Sequence, residues 1–409
     1  MPIELCLFDL DDTLVKTADM EAFRGTANVR NNTEGYIRGV RSTFSGRPCR
    51  HIYSEGHLRR LRAEFPKIKW GVFTRAPRAY CTTVLETAYP EWEWDVVVAR
   101  EDVRNTKPSP DGIQVAMHRL GVDDPRRVML VGDSKPDIMS AYHAGIWVTL
   151  DQASWSANRS PDNWYCLERL PDAIISSPHN LAGVLSDPGG HAPLMDQLAW
   201  RGSMPDRSRI ERINHFKPHS IGKGTYPIHC LGRMFGGYES LEPRARWHAL
   251  TEEILSHKDA TSFPESWHAG VRAFLDRDFA GRQASVVVTV IPAKPGRSPR
   301  LEVFVKQLGN YVAARPIRSA RIEFIPDVLA YRPGARSHHG EHLSRTERFE
   351  NVRDNLVVRD SRKVAGKCVV VIDDVVTTGA TLIYAKDYLQ DAGAVDVRCL
   401  AIAKAIGDV

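Results

Sequence analysis

The first half of the chain alternates short apolar runs with helical stretches, and the runs themselves carry no polar alternation. IELCLFDL precedes a cluster of carboxylates, KWGVFT (Lys69 to Thr74) leads into APRAYCTTVLETAY, and WDVVVA (Trp94 to Ala99) precedes SPDGIQVAMHRLGV. RVMLVGD (Arg127 to Asp133) leads into KPDIMSAYHAGI, and WVTL follows. Strands apolar on both faces and separated by helices predict a parallel sheet covered on both sides, an α/β fold. Ligands of such sheets bind beyond the carboxyl ends of the strands. Each polar cluster of this half lies at such an end.

The pattern breaks near Asp187, where SDPGGHAP and RGSMPDRSRIERINHFKPHSIGKGTY are rich in Gly, Pro, Ser and basic residues. Beyond it ASVVVTVIP, ARIEFIPDVL, GKCVVVIDDVVTTGAT and VDVRCLAIAK read as strands. Helical stretches stand at Arg244 to His257, at Trp267 to Phe274 and in LIYAKDYLQDAG. A second parallel α/β unit is the reading. The division predicted is a first domain at 1–187 with a small insert at about 16–66, a linker at 188–222, and a second domain at 223–409. A length of 409 residues suits two cores better than one. With 43% hydrophobic and 26% charged residues, collagenous, low-complexity and wholly disordered classes are excluded.

The seven cysteines are scattered without a CxxC pair, which predicts a reduced setting and no zinc framework. The N-terminal run lacks the basic flank and cleavage site of a signal peptide, and no stretch approaches the ~20 apolar residues of a membrane helix. A soluble, cytoplasmic protein with no membrane association is expected. The formal charge of +5 suits anionic, phosphorylated ligands and is too mild to argue for nucleic acid.

Asp9 and Asp11 stand two apart at the exit of the first strand, where extended backbone points both side chains the same way. Crowded carboxylates repel unless a cation is present. With Mg2+ they become a metal site, and they also supply one nucleophile and one acid/base group. Later strand ends add the hydroxyl of Thr74, the cation of Lys107 and the carboxylates of Asp133 and Asp137, a set suited to phosphoryl transfer. Asp12 should point away and cap the following turn.

Through DLDDTLV, VFT, the lysine of TKPSPDG and GDSKPD, the segment from about Pro2 to Ser186 resembles the haloacid dehalogenase superfamily of phosphatases, with its Rossmann-like parallel sheet and small cap. The resemblance implies that Asp9 is the nucleophile and that Asp11 protonates the leaving group and then activates water. It implies that Thr74 and Lys107 hold phosphoryl oxygens. Asp9, the backbone carbonyl of Asp11, and Asp133 would bind Mg2+, with Asp137 supporting. The insert is basic through Arg24, Arg30, Arg38, Arg41, Arg47, Arg50, Arg59 and Arg60. These form either a solvated surface or, in part, a grip on a second phosphate or a nucleotide.

In VVVIDDVVTTGAT (Val369 to Thr381) an apolar strand ends in two acids, then a Thr/Gly loop turns into a helix. Such a loop offers backbone N–H groups and hydroxyls to a phosphate, and Gly379 permits close approach. The acids suit sugar hydroxyls beside it. The string resembles the motif for 5-phosphoribosyl pyrophosphate (PRPP) in type I phosphoribosyltransferases, and the resemblance runs from about Ser285 to Ala403. It implies that Asp373 and Asp374, counted among the catalytic residues, hold the ribose hydroxyls. Thr377, Thr378, Gly379, Ala380 and Thr381 would wrap the 5-phosphate. Lys294 in IPAKPG, with Arg297 beside it, falls where the family contacts pyrophosphate. Tyr331 to Asn355 resembles the mobile loop of the competence-associated branch, with arginines as candidate pyrophosphate clamps; His338, His339 and His342 read as loop residues, not metal ligands. Gly224 to Tyr238 reads as a core hairpin, with Tyr226 and Phe235 as stacking candidates for the acceptor.

Together these readings imply a bifunctional enzyme of nucleotide or nucleobase metabolism, a Mg2+-dependent phosphomonoester hydrolase joined to a PRPP-dependent transferase. Two alternatives stay open: a phosphatase regulated by a PRPP- or nucleotide-sensing domain that does not catalyse, and a phosphatase acting on nucleic-acid ends. Small phosphorylated metabolites and PRPP are the expected partners, with nucleic acid not favoured and homodimerisation admitted.

Overall fold

The structure, a computed structural model, describes residues 2–216, 226–335 and 344–408. The chain divides into two compact units, one made of Met1–Ala192, Gly237–Trp247 and Asp408–Val409, the other of Pro193–Gly236 and His248–Gly407.

The first unit holds strands β1 (Leu5–Phe8), β2 (Lys69–Phe73), β3 (Val96–Val98), β4 (Val128–Gly132), β5 (Trp147–Asp151) and β6 (Ala173–Ile175). They form one sheet in the order β3-β2-β1-β4-β5-β6, with every neighbouring pair parallel. All residues of β1 and β4 are buried, as expected for strands covered on both faces. In register, Phe8 faces Val72 on one side and Val131 on the other, so β1, β2 and β4 end side by side. The order reverses at β1, which opens the crevice at its carboxyl end. Helices Glu34–Ser45 and Glu55–Glu64 belong to the insert, and the side chains of Thr33 and Ser54 cap them by accepting the N–H of Tyr36 and His57.

The second unit holds β7 (Glu211–Phe216), β8 (Tyr226–Phe235), β9 (Ser285–Val290), β10 (Arg321–Phe324), β13 (Cys368–Val376) and β14 (Asp396–Ile406). Their order is β10-β9-β13-β14-β8-β7. The pairs are parallel except for antiparallel β7 and β8. A separate antiparallel ribbon joins β11 (Leu329–Tyr331) to β12 (Leu356–Val358). The core gathers Trp267, Phe274, Phe304, Val370 and Leu400.

Two expectations about chain organisation differ from what is observed. Residues 188–222, read as a linker, include helix Leu194–Arg201 and strand β7. Leu194, Met195 and Leu198 are buried in the second core, so the described part of this stretch includes packed structure. Tyr226–Phe235 is one long strand and not a hairpin within the stretch, although its Ile228, Cys230, Leu231 and Phe235 are indeed core.

The chain also re-enters the first unit at Gly237–Trp247. There Arg244, 1% exposed, pairs with buried Asp172 and donates to the carbonyl of Ile146 at 3.1 Å. Its guanidinium lies 3.8 Å from the ring centroid of Trp247 and 4.9 Å from that of Trp147. Among the described residues, no helix is long and apolar enough to cross a membrane.

Candidate functional sites

Asp9 leaves β1 still in the sheet, its N–H donating to the carbonyl of Val131 at 2.8 Å. Lys107 Nζ donates to Asp9 Oδ1 at 2.5 Å and to Asp137 Oδ1 at 2.7 Å, and the ammonium lies 4.7 Å from the centroid of Phe73. Asp9, Asp133 and Asp137 each offer an oxygen within 4.8 Å of the others. Thr13 Oγ1 donates to Asp133 at 3.2 Å. The second oxygen of Asp137 accepts the backbone N–H and the hydroxyl of Ser134, at 3.1 and 2.5 Å. Gly132 makes this approach possible, because a Cβ there would lie 2.4 Å from Asp137 Cγ.

Three carboxylates thus cluster together, two of them bridged by one lysine. Burial pushes the Asp9 carboxyl up to about 7, with Lys107 pulling down and Asp137 and Asp11 adding to the rise. Asp133 is pushed well above the ordinary range by burial, then by Asp137 and Asp9. For Lys107, burial lowers the proton affinity, but Asp137 and Asp9 outweigh it and keep the ammonium charged. This excess of buried negative charge, presented by hard oxygen donors, fits a divalent cation such as Mg2+.

The side chain of Asp11 lies outside that group. Its Oδ1 accepts from Thr17 Oγ1 at 2.6 Å and from the Tyr80 hydroxyl at 2.8 Å, and pairs with an Arg24 guanidinium nitrogen at 3.4 Å. Burial raises its proton affinity, and Arg24, Thr17 and Tyr80 oppose the rise. Asp12, at φ 57°, turns the chain and accepts the N–H of Thr17 at 3.0 Å, the capping role expected of it. Thr74 is buried at the exit of β2, and its Oγ1 accepts the N–H of Ala76 at 3.1 Å.

Most arginines of the insert are engaged elsewhere. Arg50 grips both oxygens of Asp19 at 2.8 Å and also donates to the carbonyls of Lys16, Thr43 and Phe44. Arg38 pairs with Glu34, Arg41 with Glu86, Arg47 with Asp19, and Arg59 with Glu55 and Glu91. These hold the fold or its surface and do not converge on the carboxylates.

In the second unit Asp373 and Asp374 stand in the last part of β13, and Gly379, at φ 77° and ψ −2°, turns the chain into helix Ala380–Asp391. That left-handed conformation suits glycine. Asp373, Asp374 and Thr377 to Thr381 line a cavity of about 630 Å3 that also takes in Lys294, Arg297, Arg300, Tyr331 and Arg348. Arg300 pairs with Asp374 and donates to the carbonyl of His257 at 3.1 Å. Asp373 Oδ1 accepts the N–H of Asp374 at 3.0 Å, and Asp374 Oδ1 that of Val375 at 2.7 Å. Burial and then Asp374 push Asp373 well above the usual carboxylate range. Lys258, Lys294, Arg297, Arg300 and Arg348 face three lining acids, Asp259, Asp373 and Asp374, so the cavity favours a polyanion.

Residues 26–150 match haloacid dehalogenase-like hydrolases, and residues 326–408 match the phosphoribosyl transferase domain. The chain joins a haloacid dehalogenase-like hydrolase to a phosphoribosyl transferase domain. Both are enzyme families. Over 87 residues, 20% of its length, the chain is 34% identical to the pyrophosphatase PpaX of Bacillus velezensis and spans 38% of that protein. Over 178 residues it is 25% identical to validoxylamine A 7'-phosphate phosphatase of Streptomyces hygroscopicus subsp. limoneus, covering 35% of this chain and 83% of that one. The crystal structure of CbbY from Rhodobacter sphaeroides in complex with phosphate is similar at 18% identity and TM-score 0.33, over 44% of this chain and 96% of that one.

The hydrolase match begins after Asp9 and Asp11, so for these two the geometry above is the observation that bears on their roles. In the hydrolase unit the structure brings Asp9, Lys107, Asp133 and Asp137 together and sets Asp11 apart. In the transferase unit it brings Lys294 to the cavity of the PRPP string, but Tyr226 and Phe235 do not line it. The Tyr226 hydroxyl donates to Asp387 at 3.2 Å, and Phe235 is buried against His248. Met234 lines the cavity in their place. His338, His339 and His342 lie outside the described residues.

Sequence reasoning missed Thr13, Thr17 and Tyr80 in the hydrolase unit and Arg300 and Tyr331 in the transferase unit, and it did not single out Arg24 from its neighbours. Tyr80 sits six residues after Thr74 in the following helix, which is the one local signal for its place. Arg300 begins helix Arg300–Ala314 directly after the Lys294 loop.

Proposed function

We propose that the hydrolase unit is a Mg2+-dependent phosphomonoesterase and that the transferase unit moves phosphoribose from PRPP to an acceptor, in nucleotide or nucleobase metabolism. The observation that carries the first part is the separation of the two acids of the first strand. Asp9 lies against Lys107 among three carboxylates, while Asp11 has its own donors in Thr17 and Tyr80.

In this reading an oxygen of Asp9 attacks phosphorus, the bond from phosphorus to the leaving oxygen breaks, and that oxygen takes the proton of Asp11. Water then attacks the aspartyl phosphate, Asp11 takes its proton, and the bond from phosphorus to Asp9 breaks to release phosphate. Lys107 and Thr74 hold phosphoryl oxygens. Asp9, Asp133 and the Asp11 carbonyl would hold Mg2+ with Asp137 supporting. Mg2+, when bound, supplies positive charge beside the phosphoryl oxygens.

In the transferase unit Asp373 and Asp374 hold the ribose hydroxyls and Thr377 to Thr381 wrap the 5-phosphate. A lone pair of the acceptor forms a bond to C1 of the ribose, the bond from C1 to pyrophosphate breaks, and pyrophosphate leaves with the bonding electrons. The acceptor's proton passes to solvent. Lys294, Arg297 and Arg348 stand in the same cavity to meet that anion. All seven cysteines are free thiols, which supports a reduced, cytoplasmic setting.

The test is to incubate the full chain with PRPP, Mg2+ and a panel of nucleobases, and to measure pyrophosphate and phosphate separately. Pyrophosphate release that depends on one base, with loss of phosphate from the product, supports both parts. If PRPP changes phosphate release from a simple ester and no pyrophosphate forms, the transferase unit is a sensor instead.

A further inference from the structure

The insert of the hydrolase unit sends one arginine to the reaction centre. Among the described residues, Arg24 is the insert arginine whose ion pair reaches a carboxylate of the site, Asp11 at 3.4 Å. Its side chain is 23% exposed, so it is not sealed from solvent. Its Nε is buried and without a hydrogen-bond partner. A guanidinium presents five donors, and this one has a donor shielded from water with nothing to accept it.

The pairing is also at odds with the work of Asp11. Oδ1 of Asp11 already receives the hydroxyls of Thr17 and Tyr80, which orient it. A third donor with a full charge ties the same oxygen to the insert.

We propose that Arg24 determines specificity by reading a negative charge, a carboxylate or a second phosphate, on the leaving group of the phosphoester, and that this charge takes Arg24 from Asp11. The inference rests on the phosphatase reading above. The substrate anion satisfies the guanidinium, including Nε, through a two-pronged contact. Asp11, still held by Thr17 and Tyr80, turns to the ester oxygen. An ester without such a charge leaves Arg24 on Asp11 and reacts slowly. Binding energy from a remote part of the substrate is thereby converted into a higher kcat.

The experiment measures kcat and KM for phosphate release by the full chain with Mg2+, using matched esters. Phosphoglycolate is compared with 2-hydroxyethyl phosphate, and propane-1,3-diyl bisphosphate with 3-hydroxypropyl phosphate. The two charged esters separate a carboxylate from a phosphate as the recognised group. The wild type should favour at least one charged ester over its counterpart by about tenfold or more in kcat/KM. Arg24→Met should lower kcat/KM for that ester by about 10–100-fold and raise kcat for both uncharged esters, opposite signs that a structural role would not produce. Arg24→Lys, which keeps the charge and loses the fork, should restore part of the preference. Thermal unfolding of both variants confirms that they fold. No preference in the wild type, or an equal loss on charged and uncharged esters in both variants, overturns the inference while leaving the phosphatase reading intact. Absence of phosphate release from every ester overturns the phosphatase reading and this inference with it.

Discussion

The two units place an acid pair at the end of a buried strand, and the surrounding cations separate the chemistry of the two pairs. In the hydrolase unit, Lys107 is the one cation among the described residues that bridges Asp9 and Asp137, with Asp133 beside them. Negative charge is in excess, and the site favours a ligand that brings positive charge. In the transferase unit, Asp374 holds Arg300, and four further cations line the cavity against one further pair of acids. Positive charge is in excess there, and the site calls for a ligand that carries its own negative charge. Strand-end aspartates do not by themselves announce a reaction; the balance of charge about them does.

Removing the proposed nucleophile tests the contrast most severely. Asp9→Asn should lower phosphate release by about 10^4-fold, with PRPP-dependent pyrophosphate release unaffected, as read by parallel assays of one preparation. A comparable fall in both activities would show that the sites are not chemically independent. Next is the bridging lysine: Lys107→Met should cost about 10^2–10^3-fold in kcat for phosphate release, because among the described residues no other cation bridges Asp9 and Asp137.

The metal-free units should also respond to pH in opposite directions. Asp9 has a raised folded-state proton affinity, so its contribution to stability is present below the ordinary carboxylate range and lost as pH rises through about 7, and Asp133, also raised by burial, acts in the same direction. Mg2+ should abolish that loss. In the second unit, burial pushes His229 from 6.5 down to about 4. The unfolded chain takes up that proton first, so stability is full above about 6.5 and falls by about 3 kcal/mol as pH drops through about 4. Calorimetry between pH 4 and 8 should show two transitions whose midpoints move apart in sign. The smallest effect should be Arg300→Met, about a tenfold or lesser weakening of PRPP binding by titration calorimetry, because Lys294, Arg297 and Arg348 remain. A loss as large as that of Lys107→Met would remove the distinction between a site held by one bridging lysine and a cavity lined by many cations.

The strand runs and the acids were legible because each lies within a few residues of the next: LFDLDD, RVMLVGD and VVVIDDVVTTGAT carry strand, exit and chemistry in one stretch. Arg24, Tyr80 and Arg300 were not, because each reaches its carboxylate from another element, and only tertiary packing selects it. The arginines of the insert looked alike in sequence. Their counter-ions Glu86 and Glu91 lie far along the chain, so nothing local distinguished Arg41 or Arg59 from Arg24. Helix Leu194–Arg201 was obscured by the Gly- and Pro-rich turns on either side. Its Leu194, Met195 and Leu198 already had helical spacing. The return of Gly237–Trp247 to the first unit has no sequence signature at all, since Arg244 and Trp247 acquire meaning only beside Asp172 and Trp147.

That return bears on the order in which the protein is made. Chains emerge from the ribosome amino end first, and domains generally fold as they appear. Here Asp172 is synthesised well before Arg244, and β7 and β8 of the second unit come between them. The nascent first unit must therefore wait, with a core carboxylate still lacking its arginine, until the opening strands of its neighbour have left the ribosome. A gene cut at the end of the first sheet would encode the carboxylates of the hydrolase site but not the arginine that closes the unit's core.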